Sequence, residues 1–139
     1  MIIQVDVEVS EKDMMDLLCG AFEGGSRYWA RMEMSKNAEP SEITRVYDLF
    51  AMEDKHVYPF FLPFAGGEYK VIDVEENLPL GLLNKEALER GMKLLASGKD
   101  KNGKVVPIRH WRNFVDEMHD AETSDVYLQL CVMGEIVFG

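Results

Sequence analysis

The chain opens on an alternation. Across residues 2–9, Ile3, Val5, Val7 and Val9 fall on one side and Gln4, Asp6 and Glu8 on the other, the period of two that marks a half-buried strand. The period then changes. Ser10 stands at an N-cap position with Asp13 three residues on, and Met14, Leu17, Leu18, Ala21 and Phe22 recur at helical spacing. This predicts a helix closed by the Gly24-Gly25 pair, whose glycines tolerate the left-handed backbone that ends helices. Residues 27–34 alternate weakly and predict a returning strand.

The middle and the second half follow the same logic. Residues 41–52 fit a short capped helix. Residues 56–64, HVYPFFLPF, carry two prolines that remove ladder donors, which points to an edge strand or an extended loop. The alternating EYKVIDVEE after Gly66-Gly67 predicts a hairpin across that double glycine. Asn84 can cap a helix running through Ala96, with Ala87, Leu88, Gly91, Met92 and Leu95 inward and Gly98 as its stop. After a polar turn over residues 99–104, the spacing of Ile108, Trp111, Val115 and Met118 predicts another helix. Asp120 can cap a last one, with Val126, Leu130 and Met133 inward and Gly134 at its end. The expected architecture is one α+β domain over residues 1–139, a small, mainly antiparallel sheet packed with three to four helices.

Composition supports a folded core: 47% of the 139 residues are apolar and 29% are charged. Charge changes the picture more. Residues 1–84 carry seven basic and sixteen acidic side chains, residues 85–112 eight and three, and residues 113–139 none and six. The net −10 is therefore two acidic flanks around a basic stretch, and it argues against a protein that coats bulk nucleic acid through phosphate contacts. Within the basic stretch, Lys99, Lys101, Lys104, Arg109 and Arg112 surround Trp111, residue types that hold a phosphate while stacking a base. The same cations would also serve simply to neutralise neighbouring acids. The acidic flanks suit a different role, mimicry of nucleic-acid charge in the basic channel of a nuclease.

Two cysteines, Cys19 and Cys131, lie far apart in apolar surroundings, and the histidines are scattered without metal-ligand spacing, so neither a disulfide framework nor a metal site nor any cofactor is expected. The N-terminal residues lack a basic region followed by an apolar one, and no apolar run reaches spanning length, so the expectation is a cytosolic protein with no membrane partner.

Candidate chemistry concentrates in two places. In AFEGGSRYW, Glu23, Gly24, Gly25, Tyr28 and Trp29 combine a close-approach glycine pair with two flat aromatic faces, the makings of a small pocket; the plainer use is a helix end followed by core aromatics. His110, His119, Asp120, Glu122 and Asp125 crowd a short polar segment, and an enzyme would need Glu23, His110, Asp120 and Asp125 to converge. Their plainer uses are an N-cap and helix-dipole partners.

The strings DLLCGAFEGGSRYW and DAETSDVYLQLCVMGEIVFG together resemble a group of small phage and prophage accessory proteins, which share an AFEGG-x-x-YW element near the start and a terminal Gly-Glu-Ile/Leu-Val-Tyr/Phe-Gly. The resemblance covers about a third of the chain and brings no enzymatic motif with it. It implies a counter-defence role in the host cell. The first expectation is a non-catalytic module that sequesters a small, phosphorylated, nucleotide-derived ligand through Glu23, Gly24, Gly25, Tyr28, Trp29, Arg109, Trp111 and Arg112, with assembly into a homo-oligomer compatible with it. The alternative is an acidic inhibitor of a host CRISPR or restriction nuclease.

Overall fold

Ser10 caps the first helix as its position predicts: its hydroxyl accepts from the Asp13 backbone N–H at 3.1 Å, and the Asp13 carboxylate accepts from the Ser10 N–H at 3.2 Å. In this computed structural model, which describes residues 1–50, 59–118 and 120–139, that helix is α1 (Glu11–Gly20). It buries Met14, Met15, Leu17 and Leu18 and runs on into a wider turn, Ala21–Gly25, ended where Gly24 takes φ 155°. A side chain there would be strained, which explains the glycine.

Three strands follow, β1 (Ala30–Lys36), β2 (Glu68–Asp73) and β3 (Pro79–Leu83), in the order β1-β2-β3 with both pairings antiparallel. Met32 stands opposite Val71, and Val71 opposite Gly81. The β1–β2 connection carries α2 (Pro40–Leu49) and a tight 3-10 segment, Pro59–Ala65; α3 (Lys85–Ser97), α4 (Ile108–Val115) and α5 (Ala121–Met133) complete the chain. Asn84 and Asp120 cap α3 and α5 by accepting from the Ala87 and Thr123 N–H groups, and Gly98 and Gly134 end them in the left-handed conformation.

The last of these helices is the centre of the fold. From Thr123 to Val132 every residue of α5 is buried, because α1, α3, α4 and β3 surround it. Apolar residues fall on every side of it, as an enclosed helix requires, and the polar Thr123, Ser124, Asp125 and Gln129 are buried among them. Two glycines permit the closest approaches: Gly81 of β3 meets the Val132 carbonyl, and Gly91 of α3 lies against Cys131. A small, mainly antiparallel sheet covered by helices is thus the observed class, an α+β fold.

Four local expectations are corrected. Residues 2–9 form no strand, and Ile3, Val5 and Val7 stay 73%, 75% and 54% exposed, because no described strand of this chain pairs with them. Gly66-Gly67 is not a hairpin turn: the Gly67 N–H donates to Leu62 at 2.9 Å and closes the 3-10 segment, and the hairpin lies instead between β2 and β3. Of the proline-rich run, residues 59–65 form neither an edge strand nor an extended loop. The fixed φ of Pro59 and Pro63 suits a 3-10 turn, which carries Phe61, Leu62 and Phe64 into the core. Residues 56–58 and the end of the helix expected over 41–52 lie outside the described residues. Finally, α4 faces inward through His110 and Phe114, leaving Ile108, Val115 and the following Met118 exposed. The His110 ring finds a buried partner in Thr123 of α5, which sets the rotation of α4.

Candidate functional site

Asp125 ties the segment over residues 26–29 to α5. It lies in the second turn of α5, only 7% exposed, and its carboxylate accepts from four side chains. Oδ1 takes the Ser26 hydroxyl at 2.7 Å and the Trp29 indole N–H at 2.6 Å; Oδ2 takes the Tyr28 hydroxyl at 2.6 Å and Gln129 Nε2 at 3.2 Å. Four donors fill the acceptor capacity of a carboxylate, so burial of its charge is compensated.

Gln129 extends the same network to the C-terminal segment. Its Oε1 accepts from the backbone N–H groups of Val137 and Phe138 at 2.8 and 2.9 Å, and its Nε2 donates to the Phe138 carbonyl at 3.1 Å, so one side chain replaces a ladder partner for an unpaired stretch of backbone. Phe138 is thereby laid flat on Trp29, with ring centroids 5.0 Å apart and planes within 12°. Gly25 completes the join, since a Cβ there would stand 2.8 Å from the Ala121 carbonyl. The glycine-aromatic string and the C-terminal string are one structural unit.

Around this join is a cleft of about 680 Å³, walled by Gly25 and Tyr28, by Arg109 and His110 at the start of α4, by Glu122 and Val126 of α5, and by Ile136 to Gly139. Its volume is in the range of small-molecule sites. Arg109 reaches Glu122 at 2.6 Å, with both side chains more than half exposed, so the pair can open at little cost. Partial burial and the bond to Asp125 raise the Tyr28 phenol well above its ordinary pKa, so it is a neutral donor.

His110 is enclosed, with Nδ1 2.9 Å from the Thr123 hydroxyl and Nε2 3.9 Å from Glu122. Burial, and then the neighbouring Arg109 charge, lower its pKa below the usual 6.5, which outweighs the opposing pull of Glu122 and Asp120. The unfolded chain therefore takes up the proton first as pH falls, and stability is lost from about pH 6.5 down through the lower folded value. Urea midpoints should fall between about pH 7 and pH 5, with a shallower fall in His110→Gln. Parallel profiles for the two proteins would assign the titration to another group.

The structure divides the residues singled out from sequence. Gly25, Tyr28 and Arg109 share the cleft. Trp29 is beside it but 1% exposed, covered by Phe138, and offers no face to a ligand. Glu23 and Gly24 line an adjoining shallow depression with Asp16, Cys19 and Asp120, which meets the cleft at Gly25 and Ala121. Trp111 borders an apolar groove next to Met92, and Arg112 is exposed on α4. The four groups an enzyme would need are split, His110 and Asp125 at the cleft, Glu23 and Asp120 at the depression. His119 lies outside the described residues.

Neither thiol is poised as a nucleophile: burial and the hydrogen bond to Glu23 push Cys19 up to about 11, and burial pushes Cys131 up to about 12. Among the described residues no group of three His, Cys, Asp or Glu side chains is placed to hold a metal ion, and no helix is long and apolar enough to cross a membrane.

Ser26, Gln129 and Phe138 were not marked by sequence reasoning. Gln129 had a signal, as a lone amide within the apolar run VYLQLCVM, since a polar group buried on an enclosed helix needs partners. What fold and site define is an α+β domain built on a buried helix, with a small cleft where the glycine-aromatic segment, the start of α4 and the C-terminal segment meet. No protein-family model, curated protein or solved structure matches the chain.

Proposed function

We propose that this protein is a non-catalytic binding module that sequesters a small nucleotide-derived ligand in the cleft beside Tyr28 and Arg109, as a phage-type counter-defence protein would. The observation that carries this reading is the meeting of Gly25 and Tyr28, from the glycine-aromatic string, with Arg109, from the basic stretch, in one cleft of about 680 Å³. Arg109 would exchange its exposed partner Glu122 for a phosphate, and the Tyr28 ring, Val126 and Ile136 supply apolar surface for a base or sugar. The carboxylates of Glu122 and Asp125 on the same wall limit the negative charge a ligand can bring. This favours one phosphate or a cyclic phosphodiester over a triphosphate.

Calorimetry against cyclic mononucleotides, cyclic dinucleotides, nucleoside monophosphates and ADP-ribose is the test. Saturable heat with at least one of them is expected, weakened about tenfold or more by Arg109→Glu through loss of a charge-assisted hydrogen bond, with the melting temperature nearly unchanged. No heat from any of the panel at micromolar protein would overturn the reading.

A further inference from the structure

We propose that residues 2–9 pair with the same segment of a second copy as an antiparallel two-stranded ribbon centred on Val5, its apolar face seated over the groove between α1, α3 and α4. The segment is strand-like in everything but a partner. Four β-branched residues, Ile3, Val5, Val7 and Val9, alternate with Gln4, Asp6 and Glu8, yet no described strand of the chain pairs with them. Three of the four are more than half exposed, a cluster of large apolar side chains that a monomer seldom presents to water. Their common side is turned toward the chain's own groove of about 660 Å³, which Val5, Val7 and Val9 line together with Met14, Met92 and Trp111. The groove is wide and remains unfilled by the single segment.

Charge selects the occupant and the register. In an antiparallel pair centred on Val5, Ile3 faces Val7, Gln4 faces Asp6 and Ile2 faces Glu8, so no two carboxylates are opposed. Moving the centre one residue to Asp6 sets Asp6 against itself. A parallel in-register pair opposes both Asp6 and Glu8 to their own copies, a repulsion that directly opposite like charges do not escape. Centring on Gln4 also keeps the carboxylates apart but pairs only residues 1–7, so the Val5 register is the longest antiparallel pairing that holds the apolar residues on one face with no carboxylates opposed, and a second copy satisfies it by two-fold symmetry. A stable interface covers about 800 Å² on each partner, more than two short strands contribute by pairing alone, and the exposed Lys93 and Ala96 with the half-buried Trp111 extend it. This inference is independent of the nucleotide-binding reading, since the groove and the cleft are lined by different residues.

Sedimentation velocity over a range of protein concentrations tests it. The expected result is a doubled mass whose fraction rises with concentration, and reversion to a monomer in Val5→Asp/Val7→Asp that stays folded and melts like the wild type at dilutions where it is monomeric, because both sites are exposed in the single chain. In a Cys19→Ser background, Val5→Cys should cross-link to a dimer under mild oxidation and Asp6→Cys should not. A monomer at every concentration, a dimer that survives the double substitution, or cross-linking through Asp6→Cys in preference to Val5→Cys would each overturn the proposal.

Discussion

Replacing Asp125 by alanine is expected to cost about 4 kcal/mol of stability, enough to shift the urea midpoint far down, because it strands several donors at once. The Ser26 hydroxyl and the Trp29 indole N–H are buried and both donate to Asp125 Oδ1, and Gln129 loses one of the bonds that orient its amide. The expected damage is also directional. With Trp29 unanchored, the stack with Phe138 loosens, and the indole emission should shift to longer wavelength before global unfolding. Asp125→Asn keeps the volume but turns an N–H₂ toward groups that are themselves donors, so it should fall between wild type and alanine. Tyr28→Phe removes a donor at a half-exposed site and should cost under about 1 kcal/mol, since water can reach Oδ2 in its place. A midpoint for Asp125→Ala within about 1 kcal/mol of wild type would mean that the segment over residues 26–29 is held to α5 by apolar packing and not by this carboxylate.

The second large effect is expected at Gly91, where intrinsic preference and packing have opposite signs. Glycine in a helix interior costs about 1 kcal/mol relative to alanine, so on an exposed face a larger residue would stabilise α3. Here the added Cβ would overlap the Cys131 Sγ and come within 2.8 Å of the Cys131 backbone nitrogen and 2.9 Å of its Cα. A side-chain terminus can move aside; the backbone of a helix enclosed on all sides cannot. Gly91→Val should therefore destabilise by about 3 kcal/mol or more through overpacking, with Gly91→Ala also destabilising. Adding Cys131→Ala should recover only part of the loss, because it clears the sulfur and leaves the nitrogen and Cα in place. Thermal denaturation of the three proteins checks the order, and a Gly91→Ala protein more stable than wild type would show that α3 and α5 can separate freely.

Both sites show how much could be read along the chain. The caps at Ser10, Asn84 and Asp120 and the stops at Gly98 and Gly134 were legible because a cap is a contact between residues three or four apart, and the sequence contains both partners side by side. The inward faces of α1 and α3 were legible for the same local reason. The strand expected over residues 2–9 failed in a different way. Its alternation is genuine, but a strand is completed by a ladder partner, and periodicity does not say whether that partner is in the same chain. The face of α4 also misled, since Ile108, Val115 and Met118 were placed inward by hydrophobicity while a polar His110 holds the interior through one bond to Thr123.

The candidate site was visible in its pieces and not in its assembly. Gly25, Tyr28 and Arg109 were singled out individually, and the cleft brings them together. For Trp29 the sequence offers both a pocket face and a core aromatic, and the core position is the one it occupies. Only the path of residues 136–139, fixed by Gln129 a hundred positions away from Trp29 in sequence, decides that Phe138 covers it. Sequence by itself determined the helix ends, most inward faces, the α+β class and the division of charge, all of which depend on neighbours within a turn or on simple counts. Tertiary structure alone decided which helix is enclosed, why Gly91 must be a glycine, and that one carboxylate, Asp125, receives both the Ser26–Trp29 string and Gln129. Those outcomes depend on groups that meet across roughly forty to a hundred residues, where close packing leaves no room for a Cβ and exclusion of water makes an unpaired donor costly and a single acceptor decisive.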